Sequence, residues 1–496
     1  MTDTRYLGGT AKYASAMSEK YWARWNDDVQ AKIDRDIEAN RKADGHFMLA
    51  GVPAGAEVHV EQTKSEFVFG AHIFNFDQLG SDERNRKYRA LYGDGGLFNS
   101  ATIAFYWKTL EPEEGRPRFR AEYRDTAEFW NRCPNPKEQP HWRRPATDPV
   151  VEFCTRKGIR RHGHTLVWGS NSWQVPDWLI GRTPLEALAK ADLARRPSGV
   201  LKAGALSGIL GETPVDEFAA KHPEYVQYLN AVYARHIAEI AARYGDRVDS
   251  WDVVNESVKD FTLGVLKPGS RLCVGGYGPM PGDYPFRSFK IAEGVFPRSA
   301  KLNINEYRLS EEYLKQVREL LARGCKIDVM GAQMHLFDPQ ACLDIADGVS
   351  DAQSPEQVTS LFGTLEKAGL PIHLSEITIT APGNDERGQA IQAVIARNLY
   401  RLWFSLKPMM GITWWNVVDD CGAPGEPSVS GLFSRDMEPK PAYFALDELI
   451  NREWRTRTCV KAGRDGAVEF RGFRGVYRLS WRGGDGAERS AEVVLH

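Results

Sequence analysis

The chain has 496 residues, 42% of them apolar, 11% aromatic and 26% charged, enough to bury a large core. Its 64 Lys and Arg against 66 Asp and Glu leave a formal net charge of −2, so there is no general pull toward phosphate backbones or anionic lipid, and neither nucleic acid nor membrane is expected as a partner. The seven cysteines are odd in number and form no C-x-x-C pair, which argues against a disulfide scaffold or a zinc knuckle.

The opening residues MTDTRYLGGT lack the basic start and apolar stretch of an export signal, and no run of about 18 uncharged apolar residues occurs. A cytoplasmic protein is expected from the chain as written, and a secreted or periplasmic one if it is processed or truncated. Residues 11–43 read as a polar helical lead, with Tyr13, Met17, Tyr21 and Trp25 forming a docking stripe on one face. Two short alternating segments follow, Phe47 to Ala50 and Glu57 to Gln62, separated by the turn residues GVPAGA.

From Phe67 onward eight short apolar runs recur between helical patterns: FVFGAHI, SATIAFY, RHGHTLVW, VDSWDVVN, KLNINEY, VMGAQMHL, IHLSEITIT and GITWWNVV. Strands and helices alternating in this number predict an α/β fold, a (β/α)8 TIM barrel. Chain in excess of a minimal barrel falls after the second, third and fourth strands, where loops usually shape a cleft. Beyond Trp454 the pattern alternates again, predicting strands that join the N-terminal ones. The expected organisation is a helix and β segment over 1–66, the barrel over 67–452, and a β segment over 453–496 that packs with the first as a small accessory β domain.

Polar residues interrupt the apolar runs near their ends, where barrel enzymes keep their sites. Asn255 and Glu256 close the fourth strand, and Glu376 breaks the otherwise apolar seventh. An acid inside a buried strand is costly unless it is paired or used, and two carboxylates at one barrel mouth suffice to cleave a glycosidic bond. From the strand position alone, Glu256 fits a structural ion pair as well as it fits catalysis. His164 and His335 add hydrogen-bonding groups, whereas strict alternation puts His373 on the face opposite Glu376, as a packed core histidine. Tyr106, Trp107, Trp168, Trp173, Trp178, Trp251, Trp414 and Trp415 crowd the strand ends, and indole stacks well on a sugar ring, although any one of them is as readily core.

The segments GHTLVW, WDVVNE, INEY, QMH, LSEITI and LFSRDMEPKPAY, in this order over about 67–450, resemble glycoside hydrolase family 10, the retaining endo-β-1,4-xylanases. The flanking β segments resemble its longer, plant-like members. The resemblance implies Glu256 as acid/base and Glu376 as nucleophile. It further implies that Asn255 binds the 2-hydroxyl of the attacked sugar, that His164 and Trp168 line the same subsite, that His335 holds Glu376, and that Trp415 floors the cleft. Where the family carries Glu-Asn-x-x-Lys-Trp, this chain has Ala104-Phe105-Tyr106-Trp107-Lys108, keeping Lys108 as a binding residue and losing the polar grip on the next sugar. It also has His162 for an Arg, Gly169 for a His, Thr378 for an Asp, and Ala423 near the place of a second cleft tryptophan.

The expected function is a retaining glycoside hydrolase acting on β-1,4 linkages of xylan or a related plant β-glycan. The expected partner is a β-linked polysaccharide or oligosaccharide, the expected state a monomer, with no cofactor and no metal. Three other readings stand beside it: a carbohydrate-binding protein with weak or lost catalysis, a β-glycosidase for a non-xylan glycan, and a metal-dependent barrel hydrolase using His162 and His164. The third is disfavoured because such enzymes carry their H-x-H on the first strand.

Overall fold

The computed structural model of the protein describes residues 3–184, 214–276 and 278–496. Part of the predicted excess after the third barrel strand therefore lies outside the described residues. Two strands, β1 (Lys42–Met48) and β2 (Glu57–Ser65), precede the barrel. The barrel begins with β3 (Val68–His72), β4 (Ser100–Ala104), β5 (Arg160–His164) and β6 (Ser250–Asn255). A small antiparallel hairpin, β7 (Leu272–Gly275) with β8 (Gly278–Pro281), interrupts it. The barrel resumes with β9 (Lys301–Glu306), β10 (Val329–Leu336), β11 (Ile372–Ile379) and β12 (Met409–Trp414), and all eight strands are parallel and closed by pairing of β12 with β3. Every predicted barrel strand is present in the predicted order.

The strands β3, β4 and β11 are buried along their whole length, as a parallel sheet covered on both faces requires. Close packing inside the barrel is set by small residues at particular points. Gly163 on β5 faces the Trp251 indole on β6, and a Cβ there would lie 2.2 Å from its ring carbon Cε3. Trp251 in turn meets Phe105 at 4.7 Å, so one glycine makes room for an aromatic pair beneath His164.

The N-terminal lead is broken where the sequence analysis expects one helical stretch. A 3-10 segment over Gly8–Ala16 and helices Glu19–Arg24 and Asp27–Arg41 replace it, and β1 starts at Lys42. Ser18 and Asn26 cause the breaks, because their side chains accept from the N–H groups of Tyr21 and Val29 and cap new helix starts. Met17, Tyr21 and Trp25 are buried. Tyr21 and Gln30 fasten the lead to the long barrel helix Glu386–Ser405, bonding its polar groups Asn398 and Arg401.

The strands at the two chain ends pair with each other. Lys42–Met48 pairs antiparallel with β14 (Ala467–Phe473), and β2 lies between β13 (Arg457–Lys461) and β15 (Gly475–Arg482), with β16 (Glu488–Leu495) at the edge. Val58, Val60, Val468, Tyr477, Leu479 and Trp481 form the apolar core of this β element. Among the described residues no helix is long and apolar enough to cross a membrane.

The packing of Gly163 gives a direct test. Gly163→Ala forces Trp251 from its site and should lower the unfolding free energy by roughly 1–3 kcal/mol, read from urea denaturation followed by tryptophan fluorescence. An unchanged midpoint would mean that β5 and β6 are not packed this closely.

Candidate active site

The C-terminal ends of five strands bring the sequence-predicted polar residues together. Glu376 on β11 is 5% exposed. Its Oε1 accepts from Asn305 Nδ2 on β9 at 2.8 Å, His335 Nε2 on β10 lies 3.4 Å from Oε2, and His164 Nε2 on β5 lies 3.8 Å from Oε1. The same Asn305 amide donates to Asn255 Oδ1 at 2.9 Å, while Gln333 Nε2 donates to Asn255 Oδ1 and to Glu256 Oε1, each at 3.2 Å. The two glutamates thus belong to one hydrogen-bonded network through the side-chain amides of Asn255, Asn305 and Gln333.

Glu256 follows β6 directly with φ of 54°, a left-handed conformation uncommon for a residue with a side chain. Its N–H bonds the Asn305 carbonyl at 2.8 Å, and the turn after it is pinned where Val258 N–H donates to Glu306. Glu306 also accepts the N–H groups of Tyr307 and Arg308, so this buried acid serves the backbone.

Behind Glu376, Asp252 of β6 accepts from two histidines at once, His164 Nδ1 at 2.8 Å and His162 Nε2 at 2.9 Å. Burial opposes the charged His164 imidazolium, but Glu376 and Asp252 outweigh it and raise its pKa above 6.5. Burial likewise opposes ionisation of Asp252, yet the two histidines hold its carboxyl well below the usual range. His162 and His164 are therefore engaged by one carboxylate, and among the described residues no group of three or more His, Cys, Asp or Glu is placed to hold a metal ion. His335 has its other nitrogen on Thr378 Oγ1 at 2.9 Å, so the threonine bonds the ring without a charge.

The alternation argument for His373 needs correction. Its ring packs 5.8 Å from His162 and bonds Thr413, on the inner wall that also carries Glu376. A register shift between Leu374 and Ile377 breaks strict alternation, so both side chains face inward. Its reading as a packed histidine agrees with burial that lowers its pKa to about 3.

The aromatics divide sharply. Tyr106 and Trp415 form a cluster with Phe74 and Ala104, flanked by Trp168 and Trp173. Trp415 sits between His164 and His335, with ring centroids at 5.6 and 6.1 Å, and its Nε1 donates to Glu426 at 3.3 Å. Trp107, Trp251 and Trp414 are core residues: Trp107 stacks on His236 and donates to Glu111, and the Trp414 indole bonds the Asn416 carbonyl. Trp178 packs on Trp107 away from this cluster. Lys108 starts no contact with the glutamates; its ammonium is held by Asp177 and by the Asn171 carbonyl on the wall of a neighbouring cavity.

Four residues here carry no signal in the sequence. Arg143 bonds Asn416 at 3.0 Å and approaches Glu426 at 3.4 Å, and Arg144 lies over Tyr106. Both arginines and Glu426 sit in irregular loops, and Asn416 follows a strand rather than interrupting it. By contrast, Asn305 and Gln333 were open to discovery as polar residues near the ends of apolar strands. A second cavity of about 850 Å³ lies at the opposite, N-terminal end of the barrel, and neither glutamate lines it.

A barrel carrying two acids at the C-terminal ends of β6 and β11 belongs to the (β/α)8 glycosidase architecture. The sequence model of glycosyl hydrolase family 10 matches residues 107–449, and the chain belongs to this family. It is 27% identical over 330 residues to endo-1,4-beta-xylanase C of Paenibacillus barcinonensis, covering 60% of this chain and 26% of that protein. It is 26% identical over 310 residues to exoglucanase XynX of Acetivibrio thermocellus, covering 60% and 24%. The match thus spans about a quarter of the length of these curated relatives. Among solved structures, native xylanase 10B of Thermotoga maritima aligns with a TM-score of 0.52 at 21% identity, over 78% of this chain and 96% of that one. Xylanase 10B of Thermotoga petrophila, in complex with xylobiose, aligns with a TM-score of 0.52 at 22% identity, covering 78% and 95%. At such identity the likeness is one of fold.

The raised His164 pKa has a signed consequence. Its contribution to stability is complete below the unfolded value near 6.5 and is lost as pH rises through the folded value. His164→Gln should therefore cost most stability at about pH 6 and progressively less at higher pH, measured by urea denaturation of both proteins across that range. A gap that widens with pH would refute the charged His164.

Proposed function

We propose that the protein is a retaining glycoside hydrolase that cleaves β-1,4 linkages in xylan or a related plant β-glycan by double displacement. The observation that carries this reading is the network in which Asn305 and Gln333 tie the carboxylates of Glu376 and Glu256 to a common Asn255. Membership of family 10 supports it independently.

In this reading Glu376 attacks the anomeric carbon while Glu256 donates its proton to the departing glycosidic oxygen. The C1–O bond breaks, and a glycosyl ester of Glu376 forms. Glu256, now a carboxylate, takes a proton from water as the water oxygen attacks C1; the ester bond breaks, Glu376 is restored and the β configuration is kept. Such a pair works with its carboxyls about 5–5.5 Å apart. Asn255 uses only its oxygen toward Asn305 and Gln333, which leaves its amide N–H groups as donors for the 2-hydroxyl. His164, Trp168, His335 and Trp415 would surround the attacked sugar, with Trp415 offering its indole as the floor.

Two substitutions separate the roles. Glu376→Ala should lower turnover by at least roughly a thousandfold on any substrate. Glu256→Ala should lose turnover of the polymer yet still form the glycosyl-enzyme from a nitrophenyl glycoside, whose leaving group needs no proton. Anomeric-proton NMR of the wild-type reaction should show the β-product first. Retained activity in Glu376→Ala, or an initial α-product, would refute the assignment.

A further inference from the structure

The cavity walled by Lys108, Arg144 and Trp173 is cationic in a chain that is not. It holds about 1150 Å³ between Trp173, the segment 108–125 and the segment 140–144. Eight Lys or Arg line it against four carboxylates, whereas the whole chain carries −2. Most of these charges are matched: Arg118 pairs with Asp125, Lys108 with Asp177, and Arg116 with Glu113.

Arg120, Arg124 and Arg144 make no ion pair among the described residues, and of these three only Arg144 is buried. It is 8% exposed and makes no ion pair among the described residues, and Glu426, which lies 3.4 Å from Arg143, acts on it only through space. Its guanidinium lies 3.7 Å from the centre of the Tyr106 ring and 5.2 Å from that of Phe74. Its side chain makes one hydrogen bond, from Nη1 to the Arg143 carbonyl at 2.9 Å, out of five N–H donors. Burial lowers its pKa to about 10, which still leaves it charged at neutral pH.

The position of this cation relates it to the reacting sugar. Tyr106, on which it rests, meets the His164 ring at 5.3 Å, and His164 approaches Glu376. Arg144 is therefore one aromatic ring removed from the attacked sugar, on the side where Ala104 and Phe105 offer no polar side chain. A guanidinium fork matches a carboxylate geometrically, and a desolvated cation that shares Glu426 with Arg143 and has no carboxylate in direct contact favours a ligand that brings one. A neutral sugar hydroxyl supplies no such charge.

We propose that Arg144 recognises the carboxylate of a uronic acid carried by the glycan next to the sugar that Glu376 attacks. This inference rests on the hydrolase reading of the site, so binding and cleavage are measured separately. The probes are a xylotriose bearing one glucuronic acid branch and the same oligosaccharide with that carboxyl reduced to the alcohol. Calorimetry with the wild type should show the acidic probe binding at least about tenfold tighter, with the advantage shrinking as salt is added. In Arg144→Gln the ratio between the two probes should fall to within about twofold, and Arg144→Lys should keep part of it.

Equal affinity of the wild type for both probes, or an undiminished ratio in Arg144→Gln, would overturn the proposal. Thermal melting of each variant identifies a folding defect, and should Arg144→Gln not fold, Arg144→Lys and the wild-type ratio decide. Acid-selective binding without cleavage of any β-glycan would leave this inference standing and remove the hydrolase reading. Cleavage of undecorated polymer without acid preference would do the reverse.

Discussion

An ionised carboxylate enclosed by a barrel faces a desolvation penalty of several kcal/mol unless donors replace the lost water. Glu376 meets that constraint with groups drawn from three other strands: a hydrogen bond from Asn305 of β9, and the imidazoles of His164 from β5 and His335 from β10 at 3.8 and 3.4 Å. Each of the three is itself fixed at its far end, His164 by Asp252, Asn305 by Ser375 and His335 by Thr378. The carboxylate is therefore held by groups that have little freedom to turn away, the condition under which positioned dipoles and charges act most strongly. Asp252 extends the arrangement one layer deeper, since the one oxygen that orients His164 also takes His162.

Because those groups sit on separate strands, the barrel register decides whether they meet. The ladder between β10 and β11 shifts between Gly331 and Gln333, which places Gln333 opposite Glu376. Gly331 itself leaves room for Asn305, whose Oδ1 would be 2.4 Å from an added Cβ. Glu256 reaches the same network from an unfavourable left-handed backbone, held there by the Asn305 carbonyl. A non-glycine residue kept in that conformation at a strand end is the kind of local strain that the surrounding structure must compensate.

Much of this was readable in the sequence for one physical reason. Parallel barrel strands are buried on both faces, so they appear as short apolar runs, and an acid such as Glu376 or Glu256 at their ends stands out against them. The same reasoning failed where regularity failed. Strict alternation puts His373 on the wrong face, because a bulge reverses that rule within three residues of it. The apolar spacing of the N-terminal lead is helical throughout, while the capping side chains of Ser18 and Asn26 divide it. Arg143, Arg144 and Glu426 left no trace at all, since their partners lie far away in sequence and their loops have no period to break.

Residues on the barrel strands keep the network around the glutamates intact, and even Thr378, which lacks the expected charge, still bonds His335. Ala104, His162 and Thr378 are departures on the strands themselves, and beyond the strand ends two arginines enter from the segment between β4 and β5. Arg143 contacts Glu426 and Asn416, and Glu426 in turn accepts from the Trp415 indole, so this arginine supports Trp415. Arg144, its neighbour in sequence, stacks on Tyr106 and makes no ion pair among the described residues, with Glu426 acting on it only through space. One segment between β4 and β5 therefore supplies both an arginine tied to the residues that hold Trp415 and a second that stacks on Tyr106, without disturbing the strands that carry the two glutamates.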